Sequence, residues 1–252
     1  MAAKPDRSLI LSSYREASRR ILFLDYDGTL VPFSDLPGES ILGRPVRGIL
    51  NRLAGDPSNT VYIISGRDRK FLDTQFNGMN LGMVAEHGYL LKKPDHPWKE
   101  SKPVDKKWET NIREVFGELT ARYPGSFIEE KESSIAYHYR AAGYGIEKYI
   151  LPVIRKAFQQ VREKYPGLEK QEGHKIVEIK PAVFSKGKIA RDLLQSEPFD
   201  FILAAGDDVT DEDLFKALPD TACSVKIGLQ PTRARFRLAH QEQFILFLQE
   251  LI

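Results

Sequence analysis

Short, wholly apolar runs alternate with amphipathic stretches at both ends of the chain. Residues 21–24, 61–64 and 201–205 are continuous hydrophobic runs, and residues 83–85 form a shorter one. Runs of that length without polar interruption predict strands buried on both faces, as in a parallel sheet. Helical periodicity predicts helices over residues 9–20, 46–53, 188–194, 211–218 and 241–251. Asp56-Pro57 marks a turn. Strands alternating with helices predict a parallel sheet with right-handed crossovers.

The middle has another texture. Residues 104–122 and 144–164 have helical periodicity, and Pro152 is expected only near a break or a first turn. Residues 127–140 alternate, with Ile135, Tyr137 and Tyr139 on one side and Ala136, His138 and Arg140 on the other. That period of two predicts antiparallel sheet with one polar face; residues 176–180 are a further strand candidate. The fold class expected is therefore α/β: a core in two parts, residues 1–101 and 182–252, interrupted by an α+β insert over residues 102–181.

Composition narrows the function classes. The 252 residues carry 37 Lys and Arg against 35 Asp and Glu, a net charge of +2, without the basic excess of a general nucleic-acid binder. The one cysteine, Cys223, cannot form an internal disulfide, which suits a cytoplasmic protein. No stretch approaches the roughly 20 consecutive apolar residues of a membrane helix. Residues 1–7 are polar, so no signal peptide is expected there.

In an open parallel sheet, ligands sit beyond the carboxyl ends of the strands. There the chain places Asp25 and Asp27 after the first run, Ser65 and Arg67 after the second, and Asp207 and Asp208 after the last. Lys186 stands where the core resumes. Asp25 and Asp27 alone would equally suit a turn; His87 alone would read as a structural hydrogen-bonder, and Asp211 and Glu212 as first-turn acids of a helix. Together, the clustered carboxylates Asp25, Asp27, Asp207 and Asp208 call for a cation, either Lys186 or a hard divalent ion such as Mg²⁺. That combination suits phosphoryl transfer: Asp25 as nucleophile, Asp27 as proton donor and then base, Thr29 and Ser65 on phosphoryl oxygens, and Lys186 offsetting their charge. Residues 207–213 fail the calcium-loop template, because Val209 takes a ligand position and Glu212 stands where glycine is required. No dinucleotide or P-loop fingerprint is present.

Asp25-Tyr26-Asp27-Gly28-Thr29-Leu30, Ser65, Lys186 and Gly206-Asp207-Asp208, in that order, resemble the haloacid dehalogenase (HAD) phosphatases. Ile64-Ser65-Gly66-Arg67, Ala85-Glu86-His87-Gly88, Ile128-Glu129-Glu130-Lys131, His138-Tyr139-Arg140, Val177-Glu178-Ile179-Lys180-Pro181 and Gly206 to Asp213 resemble the trehalose-6-phosphate phosphatase family. The resemblance implies a Rossmann-like core with a C2-type cap. It implies Mg²⁺ held by Asp25, the Asp27 carbonyl and Asp207, sugar reading by Glu129, Lys131 and Glu178, and a phosphate contact from Arg140. Arg67 and His87 are carried as further substrate-contact candidates. The implied substrate is trehalose 6-phosphate, and a trehalose-6-phosphate synthase is a candidate fused or associated partner. Two alternatives stand: another sugar phosphate such as sucrose phosphate, and a non-catalytic phosphosugar-sensing domain.

Overall fold

The computed structural model describes residues 6–33, 40–173 and 175–252; residues 1–5 of the polar N-terminal stretch lie outside the described residues. The chain divides into two compact units, Met1–Ser101 with Phe184–Ile252, and Lys102–Val183.

The first unit runs α1 (Arg7–Glu16), β1 (Arg20–Leu24), α2 (Arg44–Gly55), β2 (Asn59–Ile64), α3 (Arg69–Phe76), β3 (Gly82–Ala85), β4 (Leu90–Lys92) and β5 (Lys99–Glu100). The second unit supplies α4 (Glu109–Arg122), β6 (Phe127–Glu130), β7 (Ile135–His138), α5 (Glu147–Lys164), β8 (Leu168–Gly173) and β9 (Ile176–Pro181). The first unit then resumes with α6 (Lys186–Ser196), β10 (Phe201–Gly206), α7 (Val209–Ala217), β11 (Cys223–Ile227), β12 (Phe236–Leu238) and α8 (Gln241–Glu250).

The larger sheet has the order β12-β11-β10-β1-β2-β3-β4-β5. It is parallel from β12 to β3, and β4 and β5 add antiparallel at one edge. All of β1 is buried, as its unbroken apolar run requires. Ile21 and Phe23 pack on one face with Ile189, Ala190 and Leu193 of α6 and Leu214 and Phe215 of α7. Leu22 and Leu24 are equally buried on the other face by the alternation of a strand. β1 lies between β10 and β2, so the loops after the three strands open side by side.

In the second unit the strand order is β6-β7-β9-β8, antiparallel throughout. Ile135, Tyr137, Val177 and Ile179 pack with Ile112 and Phe116 of α4 and Ile150, Ile154 and Phe158 of α5. The alternating run expected over residues 127–140 is two strands joined by a turn, with Tyr139 and Arg140 beyond the second. Pro152 lies inside α5, past its first turn, where it removes one backbone donor; the buried stripe of Ile150, Ile154, Ala157 and Phe158 holds the helix through it.

Candidate active site

The chain leaves β1 through a turn that only some residues can make. Asp25 still donates its N–H to Ala205 O at 3.0 Å, extending the ladder by one residue. The Tyr26 carbonyl then accepts from Leu30 and Val31, and Gly28 takes φ +76°. A Cβ at Gly28 would stand 2.2 Å from Asp207 Oδ2, so glycine serves both the left-handed backbone and the close approach of the Asp207 carboxylate. Tyr26 anchors the turn from beneath: its hydroxyl donates to Ser40 O at 2.6 Å, and its ring meets Phe71 and Phe76 edge-on.

One cluster forms at the ends of β1 and β10 and the starts of α6 and α7. Lys186, 3% exposed, donates from Nζ to Asp25 Oδ1 at 2.6 Å and to Asp211 Oδ1 at 2.8 Å. Asp25, Asp207 and Asp211 each bring a carboxylate oxygen within 4.8 Å of the others. Asp25 Oδ2 is buried and has no hydrogen-bond partner. Burial, reinforced by Asp211 and Asp207, pushes the Asp25 carboxyl well above the usual range despite Lys186. Burial and then the Asp211 charge push Asp207 up to about 7. Burial alone would depress Lys186; the Asp211 and Asp25 charges outweigh it and hold its ammonium above the ordinary value. Two buried carboxylates and a half-buried third facing one ammonium, with an unpaired buried oxygen, fit a bound divalent cation.

Asp211 was expected to be only a first-turn acid. Its second oxygen does cap α7, accepting from Asp208 N at 3.0 Å, while the Asp208 side chain accepts in return from the backbone of Asp211. Asp208, expected among the metal ligands, takes part in the cap of α7, and Asp211 stands in the cluster. A Cβ at Gly206 would meet Asp211 Cγ at 2.0 Å, so the glycine before Asp207 leaves room for the third carboxylate. Lys226, also outside the sequence expectation, donates from Nζ to the Asp207 carbonyl at 2.5 Å and steadies that loop from β11.

A second group stands on the other side of the turn. Arg67 grips Asp27 with Nε on Oδ2 at 2.8 Å and Nη2 on Oδ1 at 2.6 Å. The Asp27 side chain is turned to Arg67 rather than to the acidic cluster. Ser65, 2% exposed, accepts at Oγ from Arg67 N at 3.1 Å. His87, at φ +58°, donates its N–H to Ser65 O, and its ring leaves no space for a Cβ at Gly66. Thr29 is fully buried and its hydroxyl lacks a hydrogen-bond partner.

In the second unit, β-register aligns Glu129, Ala136 and Glu178 in one row across β6, β7 and β9, on the face opposite the apolar core. Lys131 Nζ reaches Glu178 Oε1 at 3.1 Å, and Ser134 Oγ donates to the same oxygen at 2.5 Å. His138 Nε2 lies 2.7 Å from Glu129 Oε2. Burial would raise Glu129, but the His138 hydrogen bond and the Lys131 charge hold it below the usual range. Arg140 begins a single 3₁₀ turn after β7.

Residues 23–242 match the family described as Trehalose-phosphatase. The chain is 39% identical over 241 residues to the "Bifunctional trehalose-6-phosphate synthase/phosphatase" of Thermoproteus tenax, covering 95% of this chain and 33% of that protein. It thus spans about a third of that relative's length. The C. albicans trehalose-6-phosphate phosphatase C-terminal domain superposes with a TM-score of 0.89 at 28% identity, over 100% of this chain and 98% of that one. A haloacid dehalogenase-like hydrolase from B. subtilis superposes at a TM-score of 0.61 and 14% identity, covering 91% and 98%, which shows the shared fold.

Proposed function

The chain belongs to the trehalose-phosphatase family, and on that premise we propose that it hydrolyses trehalose 6-phosphate to trehalose and phosphate through an aspartyl-phosphate. The observation that carries this reading is the buried Asp25–Lys186–Asp211 triad with Asp207 beside it, at the carboxyl ends of β1 and β10. Phosphoryl transfer needs a nucleophile, a proton donor and positive charge for the phosphoryl oxygens, and those roles fall on separate side chains here.

Asp25 attacks phosphorus with its unpaired Oδ2. Lys186 holds Oδ1 of Asp25 in place and lowers the cost of ionising it, which leaves Oδ2 as the oxygen free to attack. Asp27 protonates the departing sugar oxygen, then takes a proton from the water that attacks the phosphoryl group. Ser65 and Thr29 are assigned to hydrogen bonds on phosphoryl oxygens, and Arg140 to the phosphate. Asp25, Asp207 and Asp211, with the Asp27 carbonyl, would hold Mg²⁺, which neutralises phosphoryl charge when bound. Glu129, Lys131 and Glu178 are assigned to the sugar hydroxyls, and His87 is kept as a substrate-contact candidate. A site built from such hydrogen-bonding groups discriminates strongly, because an analogue leaves them unpaired.

The Thermoproteus tenax relative is named as a bifunctional synthase/phosphatase, which supports a trehalose-6-phosphate synthase as a fused or associated partner of this chain. No helix among the described residues is long and apolar enough to cross a membrane. The lone buried Cys223 supports placing the protein in the reducing cytoplasm.

A panel of phosphate esters with and without Mg²⁺ tests the reading. Phosphate release from trehalose 6-phosphate, dependent on Mg²⁺ and exceeding that from sucrose phosphate and glucose 6-phosphate, is the expected result. Preference for another sugar phosphate would reassign the substrate, and release from none would leave a phosphosugar-sensing domain.

A further inference from the structure

We propose that Arg67 is the positioning residue of the proton-transfer group Asp27, and is not a substrate contact. This rests on the hydrolytic reading above. The pair is bidentate, at 2.8 and 2.6 Å, and both side chains are largely shielded, Arg67 17% and Asp27 27% exposed. A planar fork against a planar carboxylate fixes the rotation of that carboxylate as well as its position.

Among the described residues, Arg67 is held by contacts from both its backbone and its side chain. Its N–H donates to Ser65 Oγ at 3.1 Å, its carbonyl accepts from Glu86 N at 3.0 Å, and its guanidinium lies 4.5 Å from the centre of the Phe71 ring. The ring stands in the first turn of α3, capped by Asp68. Phe71 also meets Tyr26, the residue between the two catalytic aspartates. The guanidinium is therefore braced by the framework that carries Asp25 and Asp27, with Nε and Nη2 on the Asp27 carboxylate.

With one lone pair of each oxygen turned to Arg67, the reacting proton of Asp27 sits on a lone pair turned away from it. In the first half-reaction the Asp27 O–H bond breaks and the proton passes to the bridging ester oxygen. The bond from phosphorus to that oxygen breaks, and the bond from Asp25 to phosphorus forms. Asp27 is left as a carboxylate, the form that pairs with Arg67. In the second, water gives a proton to Asp27 as its oxygen bonds phosphorus and the Asp25 bond breaks.

The leaving group supplies the test. Trehalose 6-phosphate must expel an alkoxide and needs the proton; p-nitrophenyl phosphate expels a stable phenolate without it. In Arg67→Met, kcat/KM, which reports only the steps up to expulsion of the leaving group, is expected to fall about a hundredfold for trehalose 6-phosphate and less than about threefold for p-nitrophenyl phosphate. Arg67→Lys, which keeps the charge and loses the fork, is expected to fall between, and to carry the test should Arg67→Met not fold. In an Asp27→Asn background, Arg67→Met is expected to change little further. Equal losses on both esters would overturn the proposal and return Arg67 to the phosphate. Failure of the wild-type protein to release phosphate from either ester would instead overturn the hydrolytic reading.

Discussion

Replacing Lys186 with methionine keeps most of the side-chain volume and removes the ammonium that bonds two carboxylates of the acidic cluster. Its Nζ bridges Asp25 and Asp211, and all three side chains are less than a tenth exposed. Removing one member of a buried ion pair leaves an uncompensated charge, at a cost of roughly 3–5 kcal/mol. At about 2–4 °C per kcal/mol for a chain of this size, the metal-free protein should melt roughly 6–20 °C lower. The deficit carries a pH signature. Asp25 and Asp207 already stand above their ordinary values, Asp207 at about 7, and Lys186 is the charge that lowers both. Without it they rise further. A carboxyl raised in the folded state stabilises fully below its unfolded value, about 3.9, and loses that contribution as pH climbs through the folded value. The deficit of Lys186→Met should therefore be small near about pH 5, where protons replace the ammonium, and large near about pH 8. Urea unfolding of both metal-free proteins at the two pH values, followed by circular dichroism, reads this directly. A deficit below about 1 kcal/mol at about pH 8, or one equal at both pH values, would refute the electrostatic reasoning.

Other consequences are as specific. Gly28→Ala places a methyl group against Asp207 Oδ2 and strains a φ of +76°; calorimetry should show Mg²⁺ affinity reduced about 10–100-fold. Asp207, at about 7, holds a proton below that pH. Mg²⁺ uptake should then release more protons near about pH 6 than near about pH 8.5, seen as a buffer-dependent heat. Glu178→Ala and Lys131→Ala each break a buried pair in the second unit. Steady-state assays should show both losing at least about tenfold more kcat/KM on trehalose 6-phosphate than on p-nitrophenyl phosphate, and equal losses would remove these residues from sugar reading.

What the sequence disclosed follows from how many neighbours each segment has. β1, β2 and β10 are covered on both faces, so burial writes unbroken apolar runs, and these were legible. β8 pairs only with β9 and reads Leu-Glu-Lys-Gln-Glu-Gly, which has no strand pattern because an edge leaves its side chains in water. β11, β12 and α3 were likewise absent from the sequence reading; β12 has only three residues. Asp25, Lys186 and Asp207 were found because each sits at a strand or helix end in motif order. Asp211 was missed as a cluster member because one side chain does two things, capping α7 with one oxygen and bonding Lys186 with the other, and only the first has a sequence signature. The Gly206 that leaves it room was the available clue. The pairing of Arg67 with Asp27 was not legible, because the two lie forty residues apart and nothing local specifies it.

The central claim is that Asp25 is the nucleophile in a phosphatase. Phosphate release from trehalose 6-phosphate in Mg²⁺, compared between the wild-type protein and Asp25→Asn of unchanged circular dichroism, tests it most directly. Steady turnover by the wild type and a loss of about three orders of magnitude or more in the variant are expected. Turnover within about tenfold of wild type by Asp25→Asn would contradict it.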